Sequence, residues 1–173
     1  MAQQSYDEEF TEYVRSKSQW LCKIAYLLCQ DPHRADDLVQ TSITKLYVNW
    51  RRARQVSHLD AYARTILVNT FLTEQRSGWW KRVVLNRENP EPATDPADPE
   101  DLDSALTVRA ALAEIAPRQR AAIVLRYYCD LSVEEAAEAL NCAPGTIKSQ
   151  TARGLDALRL VLEARPTLHN GSV

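Results

Sequence analysis

Apolar residues recur at helical spacing along most of the chain. Between Glu8 and Cys29 they fall at Phe10, Tyr13, Val14, Trp20, Leu21, Ile24, Ala25 and Leu28, which predicts one long amphipathic helix. Asp31-Pro32 then stops that helix and starts another, with Asp31 as N-cap and Pro32 in the first turn, where its missing N–H costs nothing. The second helix is predicted over about 33–50. It should bury Ala35, Leu38, Val39, Ile43, Leu46 and Tyr47, and turn Asp36, Asp37, Gln40, Thr44 and Lys45 to the other face. A third helix is predicted over about 59–75, with Ser57 and Asp60 offering a capping box. Its inward positions are Tyr62, Ile66, Leu67, Asn69 or Thr70, and Thr73. Further helices are predicted over about 104–115 and 117–129. No run of period-two alternation appears, so the fold class is all-α.

The strongest local pattern lies after residue 131. Ser132 with Glu135 three residues on is a capping box. Asn141 stands where that short helix should end, and Asn tolerates a left-handed C-cap. Pro144 suits the first turn of the next helix. There Ile147, Thr151, Leu155, Leu158 and Leu162 share one face, while Lys148, Ser149, Ala152, Arg153 and Asp156 share the other. A short helix, a tight turn and a longer helix with small, polar and basic exposed residues form a helix-turn-helix that can enter a major groove. An ordinary helical hairpin with a solvated face fits the same pattern.

Charge changes this picture once it is divided along the chain. The net charge is −2, which is unpromising for a nucleic-acid binder. Residues 1–87 nevertheless carry 13 basic and 9 acidic side chains, whereas residues 88–103 carry 7 acidic and no basic ones. That segment also holds four of the eight prolines and almost nothing apolar, so it reads as an acidic, extended linker. The predicted organisation is therefore a domain over 1–87, the linker 88–103, a second domain over 104–165 and a tail over 166–173.

Between Arg51 and Arg87 there are 8 basic residues against two acidic ones, Asp60 and Glu74. Interleaved with Tyr62, Trp79 and Trp80, they suit a single-stranded nucleic acid, with cations on phosphates and aromatic faces on bases. A core-packing helix with basic, soluble flanks accounts for the composition equally well. The polar face of the second helix reads, on its own, as solvated.

Other classes find less support. No apolar run approaches the roughly 20 residues of a membrane span, and the acidic N-terminus lacks the pattern of a signal peptide, so a cytoplasmic protein is expected. Cys22, Cys29, Cys129 and Cys142 form no CxxC pair; Cys22 and Cys29 share a helical face as reduced core residues. Joining those two to His33 as a metal site matches no zinc spacing. There is no Gly-rich phosphate loop or nucleophile motif, and His33, His58 and His169 lie in separate segments. Neither an enzyme nor a cofactor is expected.

Four motifs in order, Ala35-Asp36-Asp37-Leu38-Val39-Gln40, Tyr62 through Asn69-Thr70, Pro117-Arg118-Gln119-Arg120 and Gly145-Thr146-Ile147-Lys148-Ser149, resemble the extracytoplasmic-function class of bacterial RNA polymerase sigma factors. The resemblance covers nearly the whole chain. Leu125-Arg126-Tyr127-Tyr128 and Lys148-Ser149-Gln150-Thr151 look most like the actinobacterial SigE-family subgroup. It implies a region 2-like domain followed by a region 4-like helix-turn-helix domain, in a promoter-recognition subunit with no catalysis of its own. Asp36, Asp37, Gln40, Thr44 and Lys45 would bind the clamp helices of the polymerase β′ subunit, which turns that solvated face into an interface. The β flap is a second implied contact. Arg51, Arg52, Arg54, His58, Tyr62, Arg64, Asn69 and Arg76 would take the −10 element as flipped single-stranded bases. Thr146, Lys148, Ser149, Gln150 and Arg153 would meet the duplex −35 element. An anti-sigma partner is left open.

The chain departs from the family at Thr73, where an Asp is common, at Ala143, where a Ser usually caps the recognition helix, and at Gln150, a common Arg position. The rival reading is a free-standing helix-turn-helix regulator, a class that usually dimerises over two half-sites. A sequestering interaction protein that needs no DNA is a further rival.

Overall fold

A computed structural model describes residues 2–78 and 107–164, and every regular element among them is helical. The elements are α1 (Ala2–Cys29), α2 (Pro32–Val48), α3 (Trp50–Ala53), α4 (Leu59–Arg76), α5 (107–113), α6 (Pro117–Ile123), α7 (Val133–Ala139) and α8 (Pro144–Ala164). The linker 88–103, Trp79, Trp80 and the tail 166–173 lie outside the described residues.

Local chemistry sets most boundaries. Asp31 caps α2 by accepting from the main-chain N–H groups of His33 and Arg34 at 2.9 and 3.2 Å. Ser132 and Glu135 form the reciprocal capping box at the start of α7, at 3.0 and 2.7 Å. Gln30, Asp130 and Asn141 each adopt positive φ, of 57°, 54° and 49°, just where the chain leaves a helix. Left-handed residues there close the helix by satisfying its last carbonyls.

Three details differ from the sequence pattern. The second helix ends at Val48, and Trp50 starts a separate turn, α3, that is buried together with Ala53. Tyr47 stays 41% exposed rather than buried, because Phe10 meets its ring edge-on at a centroid distance of 4.9 Å and Asp7 accepts from its hydroxyl at 2.9 Å. Ser42 is buried as well, and its hydroxyl donates back to the Leu38 carbonyl at 2.7 Å.

The capping box expected at Ser57 and Asp60 does not form. His58 is the N-cap of α4 and makes no side-chain cap bond. Asp60 instead faces α1, accepting from the Tyr13 hydroxyl at 2.9 Å and the Lys17 ammonium at 2.7 Å. Inside α4 the buried set is Ala63, Leu67, Val68, Thr70, Phe71 and Leu72, while Thr73 is exposed. α4 has neighbours on two sides, α1 and α2 on one and α6 and α7 on the other. Its buried arc is accordingly wider than a single stripe.

The core is continuous across both halves. Leu28, Leu38, Leu46, Trp50, Leu67 and Phe71 belong to the same buried cluster as Ala121, Val124, Leu125, Ala136 and Ile147. A smaller cluster of Leu112, Ile115 and Ile123 seats Leu155 and Leu158 of α8. After Ile123 the helix widens into a π-helical turn, Val124–Tyr128, which leaves Tyr127 and Tyr128 exposed.

Candidate functional site

Three surfaces collect the residues singled out by sequence. The first is the outer face of α2. At about 100° of rotation per residue, Asp36, Asp37, Gln40 and Thr44 fall within a sector of about 100°, and all four are exposed. The Thr44 hydroxyl is turned back onto the Gln40 carbonyl at 2.9 Å. Asp36 also lines a groove of about 470 Å³ with Lys23, Tyr26, Arg109 and Tyr128. Lys45 stands apart from this strip. Its ammonium donates to the Thr70 hydroxyl at 3.1 Å, on the side facing α4.

The second surface runs from the α3 turn onto α4. Arg51, Arg52, Arg54 and His58 are exposed there, with Arg54 paired to Glu9 at 2.8 Å. Two hollows open beside them. One, of about 990 Å³, is bordered by Val56 through Tyr62, Arg64 and Thr65 on one side, and by Glu135, Glu138 and Ala139 of α7 on the other. The second, of about 280 Å³, is bordered by Lys45, Asn49, Tyr62, Thr65, Asn69 and Thr73. Tyr62 lies in both, so the structure brings together Tyr62, Asn69, Arg64 and His58. Arg76, in the last turn of α4, is exposed and borders neither.

The third surface is the outer face of α8. Lys148, Ser149 and Arg153 are exposed on it, and Thr146 and Gln150 are half-buried at its edges. Ser149 donates to the Thr146 carbonyl at 3.1 Å, which holds its hydroxyl close to the helix. The helix sits on Ile147, Thr151 and Gly154, all buried. Gly154 permits the approach, since a Cβ there would lie 2.7 Å from Cδ1 of Ile123.

Sequence reasoning named no role for several residues that shape these surfaces. Arg120 is buried and donates to the carbonyls of Leu28, Ala113 and Ile115 at 2.6, 3.0 and 2.9 Å. Burial pushes its pKa down to about 10, which leaves it charged at neutral pH. Asn49 and Thr65 border the Asn69 hollow; their ordinary polar character gave no signal in the sequence. Among the described residues no three His, Cys, Asp or Glu side chains converge as metal ligands, and the four cysteines are free thiols. No helix among them is long and apolar enough to cross a membrane.

Comparison with known proteins assigns both halves of the chain to one family of domains. Residues 13–81 match the family model for sigma-70 region 2, and residues 105–158 match that for sigma-70 region 4. The chain is 37% identical to the RNA polymerase sigma-E factor of Streptomyces coelicolor, over 91% of this chain and 88% of that one. It is 33% identical to the ECF RNA polymerase sigma factor EcfG of Rhodopseudomonas palustris, over 80% and 76% of the two chains. Among solved structures it is similar to the sigma factor RpoE of Bartonella quintana, determined in complex with the anti-sigma factor NepR. That match has a TM-score of 0.72 and 29% identity, covering 91% of this chain and 98% of the other.

Proposed function

Since the chain belongs to the extracytoplasmic-function family of RNA polymerase sigma factors, we propose a specific role for each of its three surfaces in promoter recognition and transcription initiation. Asp36, Asp37, Gln40 and Thr44 dock on the clamp helices of the β′ subunit, with Lys45 at the border. A short, mildly acidic, hydrogen-bonding strip suits a basic partner helix, because rim charges set on-rate and register at little cost. The basic turn Arg51, Arg52, Arg54 and His58, with Tyr62, Arg64, Asn69 and Arg76, takes the −10 element as a single strand. Unpairing those bases costs a few kcal/mol, and pockets for flipped bases offset that cost. Thr146, Lys148, Ser149, Gln150 and Arg153 lie in the major groove of the −35 element.

The observation that supports this best is the pairing of two dissimilar nucleic-acid surfaces on one chain. One is a convex helix face suited to a duplex; the other is a basic turn opening on two hollows, suited to a strand. A free-standing helix-turn-helix regulator gives the second surface and the α2 strip no task. The protein works in the cytoplasm, as a specificity subunit with no catalytic centre of its own. An anti-sigma factor is a further class of partner, by likeness to the RpoE structure.

Run-off transcription with purified core polymerase tests the reading. The parent chain should direct specific initiation, and the Asp36→Lys, Asp37→Lys double variant should lose both transcription and core binding. Circular dichroism must accompany the pull-down, so that loss of core binding is read only in a variant whose α2 remains folded. A folded double variant that binds core as tightly as the parent rejects the docking face. A parent that fails to bind core rejects the whole reading.

A further inference from the structure

The basic turn and the first turns of α4, proposed to take the −10 strand, hold one carboxylate among their cations. Between Arg51 and Thr73 the only acidic residue is Asp60. It borders the larger hollow together with His58, Tyr62 and Arg64, while Glu135 and Glu138 stand on the far wall, in α7. A bare carboxylate at Asp60 would repel the phosphates of an entering strand. It is covered from α1. The Lys17 ammonium donates to Oδ2 at 2.7 Å and the Tyr13 hydroxyl to Oδ1 at 2.9 Å, so each carboxylate oxygen has a donor. These donors belong to a stripe, since Tyr6, Phe10, Tyr13 and Lys17 stand within about 60° of one another on α1. Along it the Phe10 and Tyr13 rings meet Trp50 at centroid distances of 5.1 and 5.5 Å. Beside the stripe, Glu9 pairs with Arg54 at 2.8 Å. The first half of α1 thus grips the chain on both sides of His58, at Trp50 and Arg54 before it and at Asp60 after it.

From this arrangement we infer that Lys17 and Tyr13 are positioning residues for strand capture: from α1 they hold the Asp60 carboxylate and mask its charge, so that the hollow accepts a phosphate backbone. Asp60 lies in the first turn of α4, where a negative charge favours the helix dipole. The acid therefore helps the helix that carries Tyr62, Arg64 and Asn69, and a cation from another helix removes its penalty for strand binding. The Lys17 side chain is 35% exposed and that of Asp60 47%. The pair accordingly stands at the rim, where an incoming phosphate would sense any imbalance between the two charges. Lys17 and Tyr13 lie outside the segment assigned to the strand and act through Asp60. An alternative in which the pair only anchors α4 to α1 predicts the opposite sign. Neutralising an anchor would weaken strand binding. Neutralising a masked acid strengthens it, because Lys17 is then left to the phosphates.

This inference rests on the −10 assignment above, and the test separates the two. The probe is a short fluorescein-labelled single-stranded DNA of random sequence. It is titrated with holoenzyme reconstituted from core polymerase and the full chain, and anisotropy is read against core alone. Lys17→Met should weaken binding about threefold, the scale of one half-exposed charge pair, and Lys17→Arg should bind like the parent. Asp60→Asn should bind about threefold more tightly, and the Lys17→Met, Asp60→Asn pair should return to the parent's affinity. Glu12→Gln removes an acid of α1 that pairs with Arg15 and borders neither hollow, and should change nothing. If Asp60→Asn binds no more tightly than the parent, or the pair binds as weakly as Lys17→Met, the masking role is overturned. A gain in Glu12→Gln equal to that in Asp60→Asn would reveal a net-charge effect and overturn it too. If circular dichroism shows Lys17→Met unfolded, Asp60→Asn against Glu12→Gln decides alone, since asparagine still accepts from Tyr13. The −10 assignment has its own control in Arg51→Ala, Arg52→Ala, which should weaken binding roughly tenfold. If that variant binds like the parent, the −10 assignment falls and this inference falls with it. If it binds weakly while the Asp60 and Lys17 variants match the parent, the masking role alone falls.

Discussion

Arg120 reaches from α6 to the carbonyl oxygen of Leu28, in the last turn of α1, at 2.6 Å, and gives its other amino group to two carbonyls of its own unit. Its partners in this network are peptide carbonyls, those of Leu28 and Ile115 in buried bonds and that of Ala113 in a part-buried one. The Phe71 ring lies beneath it at 6.0 Å from the guanidinium carbon. Removing a charged donor from such a cluster strands the acceptors, which costs more than the bonds themselves contribute. Arg120→Met should lower unfolding stability by roughly 2–4 kcal/mol. Arg120→Lys should recover only part of that, because an ammonium lacks the planar fork that serves several carbonyls at once. Urea titration of the full chain measures both.

Cys29 gives a pH signature. Burial pushes its thiol from 9.0 up to about 12, opposed in smaller part by Arg34 and Arg120 and reinforced by Glu74 and Asp31. Between those values the unfolded chain has lost the proton and the folded chain still holds it. The folded state binds more protons, so stability falls as pH rises through that window and is unaffected by this group below it. Urea midpoints should therefore decline from about pH 9 upward, and decline less steeply in Cys29→Ala. In the folded parent at pH 8, Cys29 should also resist alkylation while the half-buried Cys22 and Cys142 react.

On α8, Lys148 and Arg153 are five residues apart and both exposed. Five residues make about 500° of turn, which leaves the two side chains about 140° apart, at opposite edges of the exposed face. Arg153→Ala should weaken promoter binding by roughly 1–3 kcal/mol and relax preference at one base pair, if Arg153 reads a base edge. Lys148→Ala should weaken binding more evenly across sequences and flatten the salt dependence, as a lost phosphate contact does. Unchanged mobility shifts and footprints in the double variant would remove both from the −35 contact.

How far these surfaces were legible in the sequence depended on the range of the interactions that make them. The Asp31 cap, the Ser132–Glu135 box and the Asn141 turn each involve neighbours a few residues apart, and all were readable in advance. Asp60 was misread because its partners, Tyr13 and Lys17, lie 47 and 43 residues away, and their bonds displace the local cap. Tyr47 was misread for a related reason. The predicted first helix starts at Glu8, whereas α1 begins at Ala2 and so carries Asp7 as well as Phe10 onto that ring. On α4 the pattern suggested one stripe, whereas Phe71, Val68 and Leu72 are buried as well because the helix has neighbours on two sides. The exposed faces of α2 and α8 were legible because periodicity places polar residues outward. The bond from the Asn69 amide to the Ala139 carbonyl was not, since α7 carries nothing in its own sequence that names a target.

Gly154 offers the sharpest test of how the recognition helix is held. Glycine inside an exposed helix normally costs about 1 kcal/mol relative to alanine, so Gly154→Ala would ordinarily stabilise. Here the new Cβ would stand 2.7 Å from Cδ1 of Ile123, 3.3 Å from its Cγ1 and 3.2 Å from Cβ of Gln119. The Ile123 methyl can rotate away, but Gln119 Cβ is fixed to the backbone of α6 and cannot. Overpacking of this kind typically costs 1–3 kcal/mol, which exceeds the gain in propensity over most of that range. Gly154→Ala should therefore be neutral to destabilising by about 2 kcal/mol, and should shift α8 away from α6. Ile123→Val removes the atom that clashes worst and costs about 0.5–1.5 kcal/mol alone. The Ile123→Val, Gly154→Ala pair should be more stable than the sum of the single changes predicts, by at least 0.5 kcal/mol in a double-mutant cycle. Binding to a −35 duplex should follow the same order, lower in Gly154→Ala and partly restored in the pair. Strict additivity would mean that α8 is not seated on Ile123 in solution.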